Sequence, residues 1–66
     1  MNITLNGEAV SVAAGATLHD LILLFHLNPA KAAVERNLAI VPRAQYAETV
    51  LCDGDRIEIV EFVGGG

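Results

Sequence analysis

The amino-acid sequence predicts an α+β domain in which a mixed β-sheet packs on one main helix. Three observations carry this reading. Apolar and polar residues alternate near both ends of the chain, apolar residues recur at helical spacing from Leu18 to Phe25, and 66 residues make a single domain.

Residues Asn2 to Asn6 put Ile3 and Leu5 on one side and Asn2, Thr4 and Asn6 on the other, as a strand with one buried face requires. Asn6-Gly7 then reads as a hairpin turn, because both central residues of a type I′ turn need positive φ. Val10 and Val12 continue the alternation on a second strand that ends by Gly15. Thr17 suits a helix N-cap, and Asp20 in the first turn meets free amides and the positive end of the helix dipole. Asp is shorter than the usual Glu, so only a partial capping box is expected. Leu18, Leu21, Ile22 and Phe25 form one apolar helix face, and Asn28-Pro29 is expected to close the helix, since the residue before proline avoids helical angles.

Ala33 to Asn37 and Leu38 to Val41 read as two short strands around Asn37. Leu38 tolerates positive φ poorly, so a tight type I′ turn is not expected there. Pro42 ends the pairing, Arg43 to Val50 reads as irregular or short helical connection, and Asp53-Gly54-Asp55 is a sharp turn into a last strand, Arg56 to Phe62. The first and last strands are candidates for parallel neighbours at the sheet centre. The helix face and one sheet face then bury each other. The expected core is Ile3, Leu5, Val10, Leu18, Leu21, Ile22, Phe25, Ile57 and Ile59. The domain spans residues 1–63, and 64–66 form a flexible glycine tail.

Composition narrows the functional classes. A chain this short buries only about 60% of the surface its unfolded form exposes, which leaves little room for an enclosed active site. The chain is 53% hydrophobic and 18% charged, so some apolar surface must stay outside, and exposed apolar patches mark partners. A net charge of -4 gives no footprint for nucleic acid or an anionic membrane. The apolar run Leu21 to Leu27 is far shorter than the ~20 residues that span a bilayer, and no secretion signal opens the chain. The single Cys52 forms no internal disulfide, which suits a reducing, cytoplasmic setting.

Individual chemistry-bearing residues support neither metal nor catalyst. His19 and His26 do not have the i, i+4 spacing of a metal pair, and no histidine or cysteine cluster accompanies them. Cys52 has no adjacent basic residue to lower its thiol pKa and is expected as a small, partly buried apolar residue. No base, nucleophile and oxyanion group can be assembled from the histidines and scattered carboxylates.

The chain stops at Val63-Gly64-Gly65-Gly66 directly after a strand. Three extended glycines reach about 10 Å and are thin enough to enter a narrow channel. Gly66 would then present its carboxylate to a bound nucleotide. A carboxylate is a poor electrophile until an oxygen becomes a leaving group, which ATP and a partner enzyme achieve by forming an acyl adenylate. A sulfur nucleophile can displace AMP to leave a thiocarboxylate. The competing explanation for such a tail is a frayed end or a cloning remnant.

Several segments together resemble a known family. Asp53-Gly54-Asp55-Arg56-Ile57-Glu58-Ile59 followed by Phe62-Val63-Gly64-Gly65-Gly66, the tetrapeptide Ile40-Val41-Pro42-Arg43, and Gly15-Ala16-Thr17-Leu18 are similar to the ThiS family of ubiquitin-like sulfur carriers in thiamine biosynthesis. Val41-Pro42-Arg43 in so short a chain favours that family over the molybdopterin-synthase small subunit. The resemblance implies a β-grasp fold, adenylation of Gly66 by a ThiF-like enzyme that uses ATP, and conversion to a thiocarboxylate by a cysteine-derived sulfur donor system. Delivery to a ThiG-like thiazole synthase follows. No bound cofactor is implied, and the chain is a carrier and substrate, not an enzyme. Asn37-Leu38 departs from the Asn-Gly often found at the family's middle hairpin.

The last strand supplies candidates for partner contact. Ile57 and Ile59 fall on one face, and Val60 and Phe62 fall on the other with Arg56 and Glu58. Val60, Phe62 and Val63 are thus expected at a partner surface, unless a bulge turns Phe62 into the core. Arg43 is a further contact candidate, its alternative being a solvated or locally bonded arginine. The residues alone leave other readings open: a carrier for molybdopterin or cysteine synthesis, a protein-conjugating modifier, or a plain interaction domain.

Overall fold

The computed structural model describes residues 1–62 of the chain. Strands β1 (Asn2–Leu5) and β2 (Glu8–Ser11) form the first hairpin, helix α1 (Leu18–Leu24) follows, and strands β3 (Ala32–Arg36), β4 (Ala39–Val41) and β5 (Arg56–Glu61) complete the sheet. Short 3-10 turns at Pro29–Lys31 and Arg43–Gln45 join them. The sheet order is β2-β1-β5-β3-β4. β1 and β5 run parallel at the centre, with Thr4 opposite Arg56 and Leu5 opposite Ile57, while the other pairs are antiparallel. A central parallel pair of first and last strands under one helix is the ubiquitin-like β-grasp arrangement, as expected.

The hairpin begins at Asn6 and Gly7, whose φ angles of 50° and 85° are those of a type I′ turn. Inward-facing Ile3, Leu5, Val34, Ile57 and Ile59 from the sheet meet Leu18, Leu21 and Ile22 from the helix. Val12, Ala32, Tyr46 and Leu51 close the margins, and the buried Tyr46 hydroxyl donates to the Ala32 carbonyl at 2.8 Å. Val10 is a correction to the expected core: near the edge, it is half-buried and packs against the cluster without joining it.

Helix α1 starts more firmly and stops earlier than expected. Thr17 Oγ1 accepts from the Asp20 amide at 3.1 Å, and the Thr17 amide donates to Asp20 Oδ2 at 3.0 Å, so the capping box is complete with Asp. That backbone bond, reinforced by the threonine side chain, holds the Asp20 carboxyl below its ordinary range. At the other end the His26 amide donates to the Leu23 carbonyl and the Leu27 amide to the Ile22 carbonyl, both at 3.0 Å. With His26 at φ 58°, this is a Schellman motif, and it ends the helix before Asn28-Pro29. Phe25 becomes the C-cap and is 41% exposed instead of lying in the core.

The middle hairpin also differs from expectation. Asn37 and Leu38 have φ of 51° and 72°, so the turn is a tight two-residue one despite the leucine. Left-handed geometry costs a non-glycine residue about 1–2 kcal/mol. The Asn37 side chain offsets this by donating to Asp55 Oδ1 at 3.1 Å and accepting from the Arg56 amide at 2.9 Å.

Candidate functional site

β5 leads to the C-terminus and lies between β1 and β3. Its pairing with β3 runs without interruption from Arg36 opposite Ile57 to Ala32 opposite Glu61, and the Phe62 amide continues the ladder to the Lys31 carbonyl at 2.8 Å. No bulge intervenes, so the pleat keeps Val60 and Phe62 on the face away from the helix. They are 62% and 57% exposed. Both candidate contact residues are therefore exposed, and the alternative of Phe62 in the core does not hold.

Two further features of this open face follow from the register. Ile40 on β4, opposite Glu35 of β3, is 81% exposed and adds a third large apolar residue that the strand alternation could have revealed. Glu35 and Glu58 face each other across β3 and β5, a like-charge pair that the Arg56 guanidinium eases by donating to Glu58 Oε1 at 3.0 Å. The face therefore combines an apolar patch with carboxylates beside it. Glu61, on the helix side, accepts from the Asn28 amide at 2.7 Å.

Arg43 begins the 3-10 turn after β4, two strands away from β5. Its side chain is exposed and takes no hydrogen bond or ion pair among the described residues. Val63, Gly64, Gly65 and Gly66 lie outside the described residues. Cys52 is a correction: it is exposed, and Arg36 Nη2 lies 3.2 Å from its sulfur, a basic neighbour that sequence adjacency does not reveal.

Nothing among the described residues forms a group of three or more His, Cys, Asp or Glu able to hold a metal ion. An open groove of about 560 Å³ lies between the segment Ser11–Ala16 and helix residues Asp20, Leu21 and Leu24, on the helix side of the molecule. Asp20 is already committed there to the capping box. No helix among the described residues is long and apolar enough to cross a membrane.

The ThiS family matches residues 3–66. The chain belongs to the ThiS family. The sulfur carrier protein ThiS of Escherichia coli is 39% identical over 66 residues, which cover all of both chains. The crystal structure of thiamine biosynthesis protein ThiS from Geobacter metallireducens superposes with a TM-score of 0.83 at 30% identity, again covering all of both chains. A protein named thiazole synthase from Magnetococcus marinus is 48% identical to the whole chain, which spans 20% of that protein's length.

Proposed function

We propose that this chain is a sulfur carrier of thiamine biosynthesis whose working atom is the carboxyl carbon of Gly66. The observation that carries the reading is similarity to Escherichia coli ThiS along the full length of both chains. A ThiF-like enzyme supplies ATP, and a Gly66 carboxylate oxygen attacks the α-phosphorus, forming the acyl adenylate and releasing pyrophosphate. Hydrosulfide released by a cysteine-derived donor system then attacks the carbonyl carbon. The C–S bond forms as the bond to AMP breaks, leaving a C-terminal thiocarboxylate.

Sulfur passes from this group to a ThiG-like thiazole synthase. Support for that partner comes from the relative named thiazole synthase, in which a segment similar to this whole chain shares a polypeptide with the rest of the protein. Gly64, Gly65 and Gly66 carry no Cβ and suit a narrow partner channel. Val60, Phe62 and Val63, with Arg43 at a greater distance, dock the domain. The chain needs no cofactor of its own and is a substrate of its partners, not an enzyme. ATP-dependent activation and the unpaired Cys52 fit a reducing cytoplasm.

Intact-mass analysis tests the proposal. Incubation with ATP, the activating enzyme and a sulfur source is expected to add about 16 Da, and fragmentation must place it on Gly66 because oxidation of Met1 or Cys52 gives nearly the same mass. Extending the chain beyond Gly66 is expected to abolish the product while leaving the fold intact. An extended, untrimmed chain that still supports thiazole formation would sink the reading.

A further inference from the structure

β1 supports only the first part of β5. Their parallel register ends at Leu5 opposite Ile57, because the chain turns away at Asn6 and Gly7 to enter β2. The Asn37 amide donates to the Arg56 carbonyl and the Phe62 amide to the Lys31 carbonyl, so even-numbered residues of β5 bond toward β3 and odd-numbered ones toward β1. Ile59 therefore directs its N–H and C=O into the space that β1 has vacated.

Asn6 fills that space with its side chain. Its main-chain amide donates to the Ile57 carbonyl at 2.9 Å. Its Oδ1 accepts from the Ile59 amide at 2.9 Å, and its Nδ2 donates to the Ile59 carbonyl at 3.2 Å. A primary carboxamide presents the same donor and acceptor as a peptide group, so Asn6 adds one rung to a parallel ladder whose strand has already ended. Two demands meet at this position: φ of 50° and a short side chain bearing both a donor and an acceptor. Glycine meets the first demand alone, aspartate lacks the donor, and alanine meets neither.

We infer that Asn6 is a positioning residue for the carrier reaction: its carboxamide clamps β5 at Ile59 and so fixes the placement of Val60 and Phe62, the exposed residues that precede the carboxyl-terminal segment in sequence. This rests on the sulfur-carrier reading above. Beyond Ile59, the described strand is held through β3 and by the Glu61 contact to Asn28. Loss of the clamp leaves this part of β5 held from the β3 side alone and loosens the presentation of Val60 and Phe62 to the activating enzyme.

The experiment compares the 66-residue chain with Asn6→Gly, which keeps the turn and deletes the rung, and Asn6→Asp, which replaces the donor by a charged oxygen. In Asn6→Gly, amide exchange at Ile59 is expected to accelerate about tenfold, with Ile57 and Leu21 unchanged. ATP–pyrophosphate exchange with the activating enzyme should show KM raised by about tenfold and kcat little altered. In Asn6→Asp, the carboxylate still accepts from the Ile59 amide but cannot donate to the Ile59 carbonyl, so KM should rise relative to the parent chain at neutral pH and recover toward it as the carboxyl protonates, a kinetic response that a merely structural role does not give. Unchanged Ile59 protection in Asn6→Gly, or lost protection there with unchanged KM, overturns the inference while leaving the carrier reading intact. A parent chain that supports no exchange at all sinks the carrier reading, and this inference with it.

Discussion

Arg36 Nε donates to Asp55 Oδ2 at 2.9 Å, tying the end of β3 to the turn that opens β5. The same oxygen accepts the Cys52 amide at 2.8 Å, and Oδ1 accepts Asn37 Nδ2. Burial alone pushes the Asp55 carboxyl up, but the Cys52 amide, the Asn37 side chain and the Arg36 charge outweigh it and hold the group below the ordinary carboxylate range.

A carboxyl depressed in the folded state contributes stability that is fully present above its unfolded pKa of about 3.9 and is lost as pH falls through the folded value. Unfolding free energy measured by urea titration is therefore expected to fall on acidification below about pH 4. Asp55→Asn should cost about 1–3 kcal/mol at neutral pH and flatten that acid limb. An acid limb unchanged in the variant would remove Asp55 as its source.

Helix α1 offers a contrast between neighbouring positions. Leu21→Ala should cost about 2–5 kcal/mol, since the side chain is buried in the core. Phe25→Ala, at the exposed C-cap, should cost less than about 1 kcal/mol. Equal losses in denaturant titration would place Phe25 back in the core.

Leu38 sits at φ 72° and is 72% exposed, so its side chain gains little to set against the strained backbone. Leu38→Gly is expected to stabilise the chain by about 0.5–1 kcal/mol, after glycine's entropic cost is subtracted from the relieved strain. Leu38→Val should destabilise it, because β-branching worsens the left-handed geometry. Thermal midpoints in the reverse order would contradict the turn described.

The open face can be separated from the fold by charge substitution. Val60→Asp and Phe62→Asp should change stability by no more than about 0.5 kcal/mol, as expected for exposed positions. Under the carrier reading they should raise KM for adenylation at least about tenfold, by desolvating a charge in an apolar contact. Arg43→Ala should have the smaller effect. Unaltered kinetics in both β5 variants would move the docking surface elsewhere.

Much of the fold was legible from short stretches of sequence. Ile3 and Leu5 declare their face by alternation, Asn6-Gly7 declares a turn by backbone preference, and Thr17 with Asp20 declares a helix start within one turn. Ile57 and Ile59 likewise separate from Val60 and Phe62 by pleat alone. These signals act between residues that the covalent chain already holds together. The segments resembling the ThiS family were equally readable, since a motif is a local string.

Tertiary structure decided what depends on residues brought together from afar. His26 takes the left-handed position that glycine usually holds because Leu27 packs against the core, so the helix stops where no sequence punctuation marks it. Leu38 accepts a strained turn because Asn37 is bonded to Asp55, 18 positions away. Cys52 acquires a basic neighbour, Arg36, 16 positions away. Phe62 stays on the open face because β3 pairs with β5 without a bulge, and Asn6 reaches Ile59 because β1 and β5 lie side by side. Local propensity ranks the conformations a segment can adopt at a cost of about 1–2 kcal/mol; sheet closure supplies the hydrogen bonds and buried contacts that select among them.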